Sequence, residues 1–240
     1  FLYLPLAFVV AYSFNDSKLN AEWVGFTWHW YGVLFADPTM LDAAYNSLVI
    51  ALTAAVIATI LGTLAGVAMH KFRLRLLPVL VIAPVAIPEI FMGVSLLLFF
   101  VLLNLTLGLV SVVLSHIAFC ISFVATVVRS RLADSDPSLV EAARDLGANA
   151  WETLRLITLP LAKPGIIAGF IMAFTLSIDD FVITYFTAGA GTVTLPLQIY
   201  SMIKVSVTPE VNAVSTLLML LTLILIALAA KLAPGLLHFK

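Results

Sequence analysis

The amino-acid sequence predicts an all-α, polytopic membrane protein with six transmembrane helices. Of its 240 residues, 62% are hydrophobic and 10% are charged, whereas soluble domains carry about 25% charged residues. The mean hydropathy of +1.14 supports the same class. The apolar runs are long and continuous, whereas a membrane β-barrel needs short segments of alternating polarity. Composition and pattern therefore exclude a soluble domain and indicate a bundle of membrane helices.

Six apolar segments define the predicted spans, and all but the first exceed the roughly 18 residues expected of a transmembrane helix. The first segment, FLYLPLAFVVAYSF, is shorter than that. We therefore expect the chain to begin partway through its first membrane helix, which is truncated. A single transmembrane domain is predicted over residues 1–240. Its spans are 1–14, 46–69, 77–103, 107–128, 164–187 and 211–230.

The positive charges predict the orientation of these spans. If the six spans alternate in direction, ten of the 12 Lys and Arg residues fall on one side of the membrane. The positive-inside rule makes that side cytoplasmic, so both termini are expected in the cytoplasm and loops 15–45 and 188–210 outside. The ten are Lys71, Arg73, Arg75, Arg129, Arg131, Arg144, Arg155, Lys163, Lys231 and Lys240; the other two are Lys18 and Lys204.

The outer loops each contain a predicted short helix. Trp23, Trp28, Trp30 and Tyr31 crowd the first outer loop, and such aromatic residues favour the water–lipid interface. We therefore interpret this segment as an interfacial helix rather than a ligand contact. In the second outer loop, TLPLQIYSMIK is interpreted as a short re-entrant or surface helix.

Residues 129–163 form the only sizeable polar segment and are predicted to lie in the cytoplasm. Asp136 suits a helix N-cap and Gly147 a left-handed C-cap, which predicts a helix at about 137–146. Asn149 and Glu152 have the spacing of a capping box and predict a second helix start. The first helix has an alanine-rich face. Such a face permits close approach of another protein, but it is equally compatible with a helix lying on the membrane.

Within this loop, EAARDLGANAWETLRLITLP resembles the EAA loop of ATP-binding-cassette importer permeases. In that family the loop is a coupling helix that docks into a groove of the ATPase subunit. The resemblance implies that Glu141 offers a carboxylate to the ATPase, that the two alanines permit close seating, and that Gly147 makes the turn. The matching residues are Glu141, Ala142, Ala143, Gly147, Ile157, Leu159 and Pro160.

Further stretches resemble the polyamine (spermidine/putrescine) branch of these permeases, and its second permease subunit in particular. They include LSHIAFCISFV, FTLSIDDFVITYF and TLPLQIYSMIK. The resemblance implies a bacterial inner-membrane protein that forms half of a translocation pathway within the lipid bilayer. Its implied partners are a second permease subunit in a heterodimer, two ATPase subunits that bind ATP and magnesium, and an extracytoplasmic polyamine-binding protein.

The chain lacks the sequence signatures of an enzyme. No GxxxxGK[ST], HExxH, CxxC or GxSxG pattern occurs, so ATP hydrolysis is expected on a partner subunit, with no cofactor in this chain. His29, His70, His116 and His238 have no metal-ligand spacing, so no metal site is predicted. His116 is interpreted as a hydrogen-bonding packing residue. The net charge of −1 provides no basic patch for nucleic acid.

Acidic residues inside predicted spans are the candidates for the substrate pathway. Glu89 lies in span three beside Pro84 and Pro88, which favour a kink, and Asp179 and Asp180 lie in span five. Intramembrane carboxylates usually face a bundle interior or a wet cavity. Adjacent residues on a helix point about 100° apart. We therefore expect one aspartate, preferably Asp179, to line the pathway and the other to hold structure.

Aromatic residues near these acids support a cationic substrate. Tyr185 lies in span five beside two phenylalanines, and aromatic faces attract ammonium groups. The acids could instead be purely structural. A permease for another small cationic or amine solute is the alternative within the family. An ion-coupled secondary transporter or a channel, with the aspartates as ion sites, is the alternative from another class, and the EAA loop argues against it.

Overall fold

The structure is a computed structural model that describes residues 1, 3–17, 22–72, 76–206 and 208–232. All regular elements in these ranges are helices, as predicted. The predictions outside the described residues concern Lys18, Arg73, Arg75, His238 and Lys240. The α-helices are α1 (Leu4–Tyr12), α2 (His29–Ala36), α3 (Pro38–Lys71), α4 (Leu76–Ala86), α5 (Glu89–Leu102), α6 (Leu109–Ala133), α7 (Ser138–Asp145), α8 (Ala150–Thr153), α9 (Leu159–Ile178), α10 (Val182–Thr187), α11 (Leu195–Val205) and α12 (Pro209–Leu232).

Four helical segments in the described residues are long and apolar enough to cross a membrane. They are Pro38–Lys71, Leu109–Ala133, Ala150–Ile178 and Pro209–Leu228. A fifth crossing is possible if α4 and α5 together count as one bent span. The chain is therefore a multi-pass membrane protein. The predicted count of six is not confirmed, because α1 has only nine residues.

The third predicted span is sharply bent instead of forming one helix over 77–103. Helices α4 and α5 meet at an angle of 107° across the break at residues 87–88. Pro84 lies inside α4, and Pro88 directly precedes α5. Proline lacks the N–H that would continue the hydrogen-bond ladder and clashes with the preceding turn. The expected kink is thus present and is larger than a simple bend.

The fifth predicted span is also broken, although we expected a continuous helix to residue 187. Helix α9 ends at Ile178, and α10 begins at Val182. The residues between them include both aspartates of the SIDDF stretch. Hydropathy alone cannot reveal such a break, because the apolar run continues on both sides of it.

The core lies where α3, α6 and α9 pack against one another. Small side chains line the contact, including Ala55 and Ala58 of α3 and Cys120 of α6, each fully buried. Small residues allow membrane helices to approach closely. Cys120 packs as a small hydrophobic residue, and its thiol also donates to the carbonyl of Ala173 at 3.5 Å.

Both helices predicted in the outer loops are present. Helix α2 contains Trp30 and Tyr31, and α11 covers most of the TLPLQIYSMIK stretch. The first residue of α11 is attached to α3, because the Ser47 hydroxyl accepts the Leu195 N–H at 2.8 Å. This attachment holds α11 beside α3.

Candidate functional site

The break between α9 and α10 is organised around Asp180. One of its carboxylate oxygens accepts the backbone N–H and the hydroxyl of Thr184, both at 2.8 Å. The other oxygen accepts the backbone N–H of Ile183 at 3.4 Å. These N–H groups belong to the first turn of α10 and have no partner within the helix. Asp180 therefore caps α10, and only 5% of its side chain is exposed.

His116 of α6 contacts both sides of the same break. Its Nδ1 lies 2.6 Å from the Ser177 hydroxyl in α9, and its Nε2 lies 2.9 Å from the Thr184 hydroxyl in α10. Nε2 is also 3.3 Å from the Asp180 carboxylate. His116 is thus a hydrogen-bonding packing residue, as predicted. The sequence did not identify Ser177 and Thr184 as its partners, because their contacts with His116 span more than 60 residues.

Asp179 and Glu89 have the opposite environment, since both are exposed on the surface of this chain. In the described part of the chain, no side chain donates a hydrogen bond to either carboxylate. Gly93 of α5 packs against Ile183 and Phe186 of α10. Glu89 begins α5, four residues before Gly93, and Asp179 lies in the break, four residues before Ile183. The two carboxylates are close enough for their charges to interact.

An aromatic cluster lies directly beyond these acids. The ring of Phe181 lies 4.7 Å from that of Tyr200 in α11 and 5.6 Å from that of Tyr185 in α10. Tyr185 is 53% exposed. The Lys204 ammonium lies 4.6 Å from the centroid of the Tyr200 ring, so this cluster already holds one alkylammonium group. The sequence did not identify Tyr200 as part of this cluster, because α11 is distant in the chain.

Together these residues form what we call the acidic–aromatic site: Asp179, Glu89, Phe181, Tyr185 and Tyr200. It offers two carboxylates and several aromatic faces on an exposed surface. Such groups attract cations by charge and by cation–π interaction. Of the four predicted pathway residues, the structure groups Asp179, Glu89 and Tyr185, whereas the Asp180 side chain is turned into the protein.

The polar segment at residues 129–163 begins with the last turn of α6 and contains the predicted short helix, α7. The Asp136 carboxylate accepts the Ser138 N–H at 2.9 Å, which is the expected capping contact. This backbone N–H, followed by the Ser138 hydroxyl, holds the pKa of Asp136 below its usual range. Since a lowered pKa keeps the carboxylate ionised, the cap is retained at neutral pH and is lost as the pH falls through that pKa.

Gly147 ends α7 in a left-handed conformation, with φ of +89°. Its N–H donates to the carbonyl of Arg144 at 2.9 Å, and the N–H of Ala148 donates to that of Ala143 at 3.0 Å. This pair of bonds is a Schellman motif, in which glycine avoids the steric cost of a positive φ. The predicted C-cap is confirmed.

The second predicted helix start is also confirmed. Asn149 accepts the N–H of Glu152 at 2.9 Å, and the Glu152 carboxylate accepts the N–H of Asn149 at 2.8 Å. Helix α8 continues through a π-helical turn, Leu154–Thr158, into α9. Ile157 lies in this turn, and Leu159 and Pro160 begin α9. The candidate span thus runs from Ala150 to Ile178.

The surface of this polar segment exposes large apolar side chains. Leu146 is 89% exposed, Trp151 66% and Leu139 46%. Ala142 beside them is exposed, and Ala143 is half-buried. Exposed apolar groups outside the membrane mark protein-interaction surfaces.

Glu141 is also exposed, and it lines a cavity of about 220 Å³ between α7 and the end of α3 at Lys71. Lys71 and Arg144 line the same cavity. Glu141 therefore shares this cavity with basic residues of this chain. Whether Glu141 also meets a partner protein stays a prediction.

Comparison with known protein families gives one match that covers most of the chain. Residues 38–238 match the family described as "Binding-protein-dependent transport system inner membrane component". The matched region includes the acidic–aromatic site and the whole polar segment at residues 129–163.

Similar curated proteins carry transport descriptions. The spermidine/putrescine transport system permease protein PotC of Escherichia coli (strain K12) is 43% identical over 229 residues, which cover 94% of this chain and 87% of that protein. The putrescine transport system permease protein PotI of the same strain is also 43% identical over 229 residues, covering 91% of this chain and 82% of that protein.

Solved structures share the fold at low sequence identity. A bacterial ABC transporter involved in the import of the acidic polysaccharide alginate has a TM-score of 0.78 at 15% identity and covers 100% of this chain and 91% of its own. The MetNI methionine ABC transporter in an inward-facing conformation has a TM-score of 0.71 at 20% identity and covers 83% of this chain and 98% of its own. These similarities concern the fold alone.

Proposed function

Because this chain belongs to the family of binding-protein-dependent transport system inner membrane components, we propose that it is the permease subunit of an ATP-binding-cassette importer for polyamines, spermidine or putrescine. It is a transport subunit and not an enzyme. The observation that carries the substrate proposal is the acidic–aromatic site, in which Asp179 and Glu89 are exposed beside the aromatic cluster.

The chemistry of a polyamine fits this site. A polyamine is a flexible apolar chain with several ammonium groups, and each ammonium loses water when it enters a narrow pathway. Two carboxylates on neighbouring helices can compensate for that loss at separate points. The faces of Tyr185 and Tyr200 can take a further ammonium or the apolar linker, as the contact with the Lys204 ammonium illustrates. The exposure of the site suits weak, transient binding during passage.

The cytoplasmic segment supplies the proposed route for coupling to ATP. We propose that α7, with Glu141, Ala142 and Ala143, docks on a separate ATPase subunit that binds ATP and magnesium. The exposed Leu146 and Trp151 support this surface. Because Ala150–Ile178 forms one candidate span, movement at the loop can be transmitted along α9 to the break beside Asp179. Rigid-body movement of this kind is common in switching proteins.

A complete importer needs further chains. We propose a heterodimer with a second permease subunit, so that this chain forms half of the pathway. Two ATPase subunits and an extracytoplasmic polyamine-binding protein complete the assembly, which lies in the bacterial inner membrane. The charge distribution supports an orientation with both termini and α7 in the cytoplasm. In that orientation, the acidic–aromatic site lies toward the outer half of the membrane.

Reconstitution of the complete complex in liposomes tests this function. ATP hydrolysis is measured with the binding protein and with spermidine, putrescine, an amino acid or a sugar. We expect stimulation by the polyamines only. Stimulation by another amine, without any by polyamines, would refute the polyamine substrate but leave the importer proposal intact. Solute movement by this chain alone, driven by an ion gradient, would overturn the importer itself.

Paired variants separate the two parts of the proposal. Asp179→Asn is expected to reduce transport while the ATPase remains bound, and Glu141→Ala is expected to weaken ATPase binding. Asp42→Asn is the matched control for Asp179→Asn, because it removes an exposed carboxylate elsewhere on the chain. Equal loss of assembly in the first two variants would contradict this division of roles.

A further inference from the structure

The two aspartates at the break differ in environment, although they are adjacent in sequence. Asp179 is exposed, whereas the Asp180 side chain is 5% exposed and hydrogen-bonded. At a break in a helix, the helical hydrogen bonds no longer fix the backbone dihedrals. Either carboxylate could therefore turn toward the surface. Contacts from another element must therefore select the observed arrangement.

His116 makes those contacts from α6. Its ring is 2% exposed, and each ring nitrogen serves a different side of the break. Nδ1 contacts Ser177, the last-turn hydroxyl of α9, while Nε2 contacts Thr184 and Asp180 on the α10 side. A single rigid imidazole thus spans the two helices. Its fixed ring geometry limits how far α9 and α10 can rotate relative to each other.

The position of Asp180 depends on this bridge. Its oxygen nearest to His116 is the same oxygen that accepts both Thr184 donors. His116 and Thr184 are fully or almost fully buried, so turning Asp180 outward would leave buried polar groups with fewer partners, which is unfavourable. While Asp180 is held inward, the adjacent Asp179 is exposed.

We infer that His116 is a positioning residue: by bridging Ser177 and the Asp180–Thr184 pair across the break, it holds Asp180 inward and presents Asp179 on the exposed surface. The inference rests on the proposed function only in one respect, namely that the solute expected to approach Asp179 is a polyamine. His116 itself is buried. The site consequently presents the Asp179 and Glu89 charges, while the Asp180 charge stays within the protein.

Cysteine labelling tests the orientation directly, because Cys120 is the only cysteine of the chain. In a Cys120→Ala background, assembled with cysteine-free partner subunits, single cysteines replace Asp179 or the neighbouring Ile178, which is 4% exposed. Their rates of reaction with a water-soluble methanethiosulfonate are compared. We expect residue 179 to react much faster than residue 178.

His116 variants then separate the two hydrogen bonds. A glutamine amide reaches about as far as Nε2 and can serve Asp180 and Thr184, whereas an asparagine amide reaches about as far as Nδ1 and can serve Ser177 only. We expect His116→Ala and His116→Asn to reduce the ratio of the labelling rate at residue 179 to that at residue 178 about tenfold. That change is the equivalent of one hydrogen bond to a charged group. His116→Gln should retain most of the ratio.

Controls distinguish positioning from general packing. Ser115→Ala removes a buried hydrogen bond to Ser111 within α6, next to His116 but not across the break, and should leave the ratio unchanged. An unchanged ratio in all three His116 variants would overturn the inference, as would an equal loss in all three. Labelling needs no substrate, so a failure of polyamines to stimulate ATP hydrolysis would leave this result intact and would refute only the proposed function.

Discussion

Replacement of Asp180 by alanine should destabilise the protein, whereas the same change at Asp179 should not. Asp180→Ala removes the acceptor for three donors of α10 and for His116. Loss of a helix cap costs about 1 kcal/mol, and each buried donor left without a partner costs about 1–3 kcal/mol. Since the Thr184 hydroxyl still pairs with His116, we expect a total of about 2–4 kcal/mol.

Asp180→Asn provides the graded comparison. Its amide oxygen can occupy the position that accepts both Thr184 donors and faces His116, so that only the weak 3.4 Å bond from Ile183 is lost. Because the charge also disappears, we expect a cost of about 1 kcal/mol. Asp179→Ala should change stability by less than about 0.5 kcal/mol, as exposed residues usually do.

Thermal unfolding measured with a thiol-reactive dye can read these differences, because the only cysteine, Cys120, is fully buried and reacts when the bundle opens. With cysteine-free partners, we expect Asp180→Ala to lower the unfolding temperature by roughly 5–10 °C. The unfolding temperature of Asp180→Asn should fall between that of Asp180→Ala and that of the unchanged protein. Equal shifts for the alanine variants at 179 and 180 would refute the reasoning, because they would show that the hydrogen bonds of Asp180 contribute nothing specific.

Three further variants test other parts of the structure. Gly147→Ala places a side chain at φ of +89°, which costs about 1–2 kcal/mol. We therefore expect weaker ATPase binding in a pull-down. Unchanged binding would show that this turn does not contribute to the coupling surface. Gly93→Ala puts a Cβ 2.7 Å from Phe186 and should destabilise the protein by about 1–3 kcal/mol, measured as a lower unfolding temperature. Gly32→Ala, with open space around it, should leave the unfolding temperature unchanged. Equal effects of the two variants would contradict close packing of α5 on α10. Tyr200→Ala should reduce polyamine uptake and Tyr200→Phe should preserve it, because the ring face attracts the cation; equal loss in both would point to the hydroxyl.

Local signals in the sequence predicted the helices of the polar segment at residues 129–163 well. The caps at Asp136, Gly147 and Asn149 depend on residues within a few positions of each other. Their side chains satisfy backbone groups that any helix end leaves unpaired. The bounds of α7 therefore differed from the prediction by only one residue at each end.

The interrupted spans were harder to predict. An apolar run reports that a segment prefers lipid or protein interior to water, but it does not report whether the backbone is continuous. At α4–α5 the prolines gave a local signal, although not the 107° angle. At α9–α10 the backbone groups released by the break are satisfied partly by Asp180, whose position depends on His116 in a different helix. A contact between distant residues leaves no periodic pattern in the sequence.

The residues of the acidic–aromatic site were predicted in part for the same reason. Charged residues in apolar runs are conspicuous, so Glu89 and Asp179 were identified, and the helical angle predicted that one aspartate would be structural. The placement of Tyr200 beside Phe181 depends on the fold of the outer loop onto the bundle. Their proposed roles in transport stay predictions.

Uptake of radiolabelled spermidine into liposomes that contain the complete complex tests the role of Asp179 most directly. The ATPase, the binding protein and ATP are present, and the permease subunit is unchanged, Asp179→Asn or Asp42→Asn. We predict ATP-dependent uptake by the unchanged complex and by Asp42→Asn, and about tenfold slower uptake by Asp179→Asn, equal to a loss of about 1.4 kcal/mol. Uptake by Asp179→Asn at the unchanged rate, in an equally assembled complex, would contradict the proposal that this carboxylate lines the polyamine pathway.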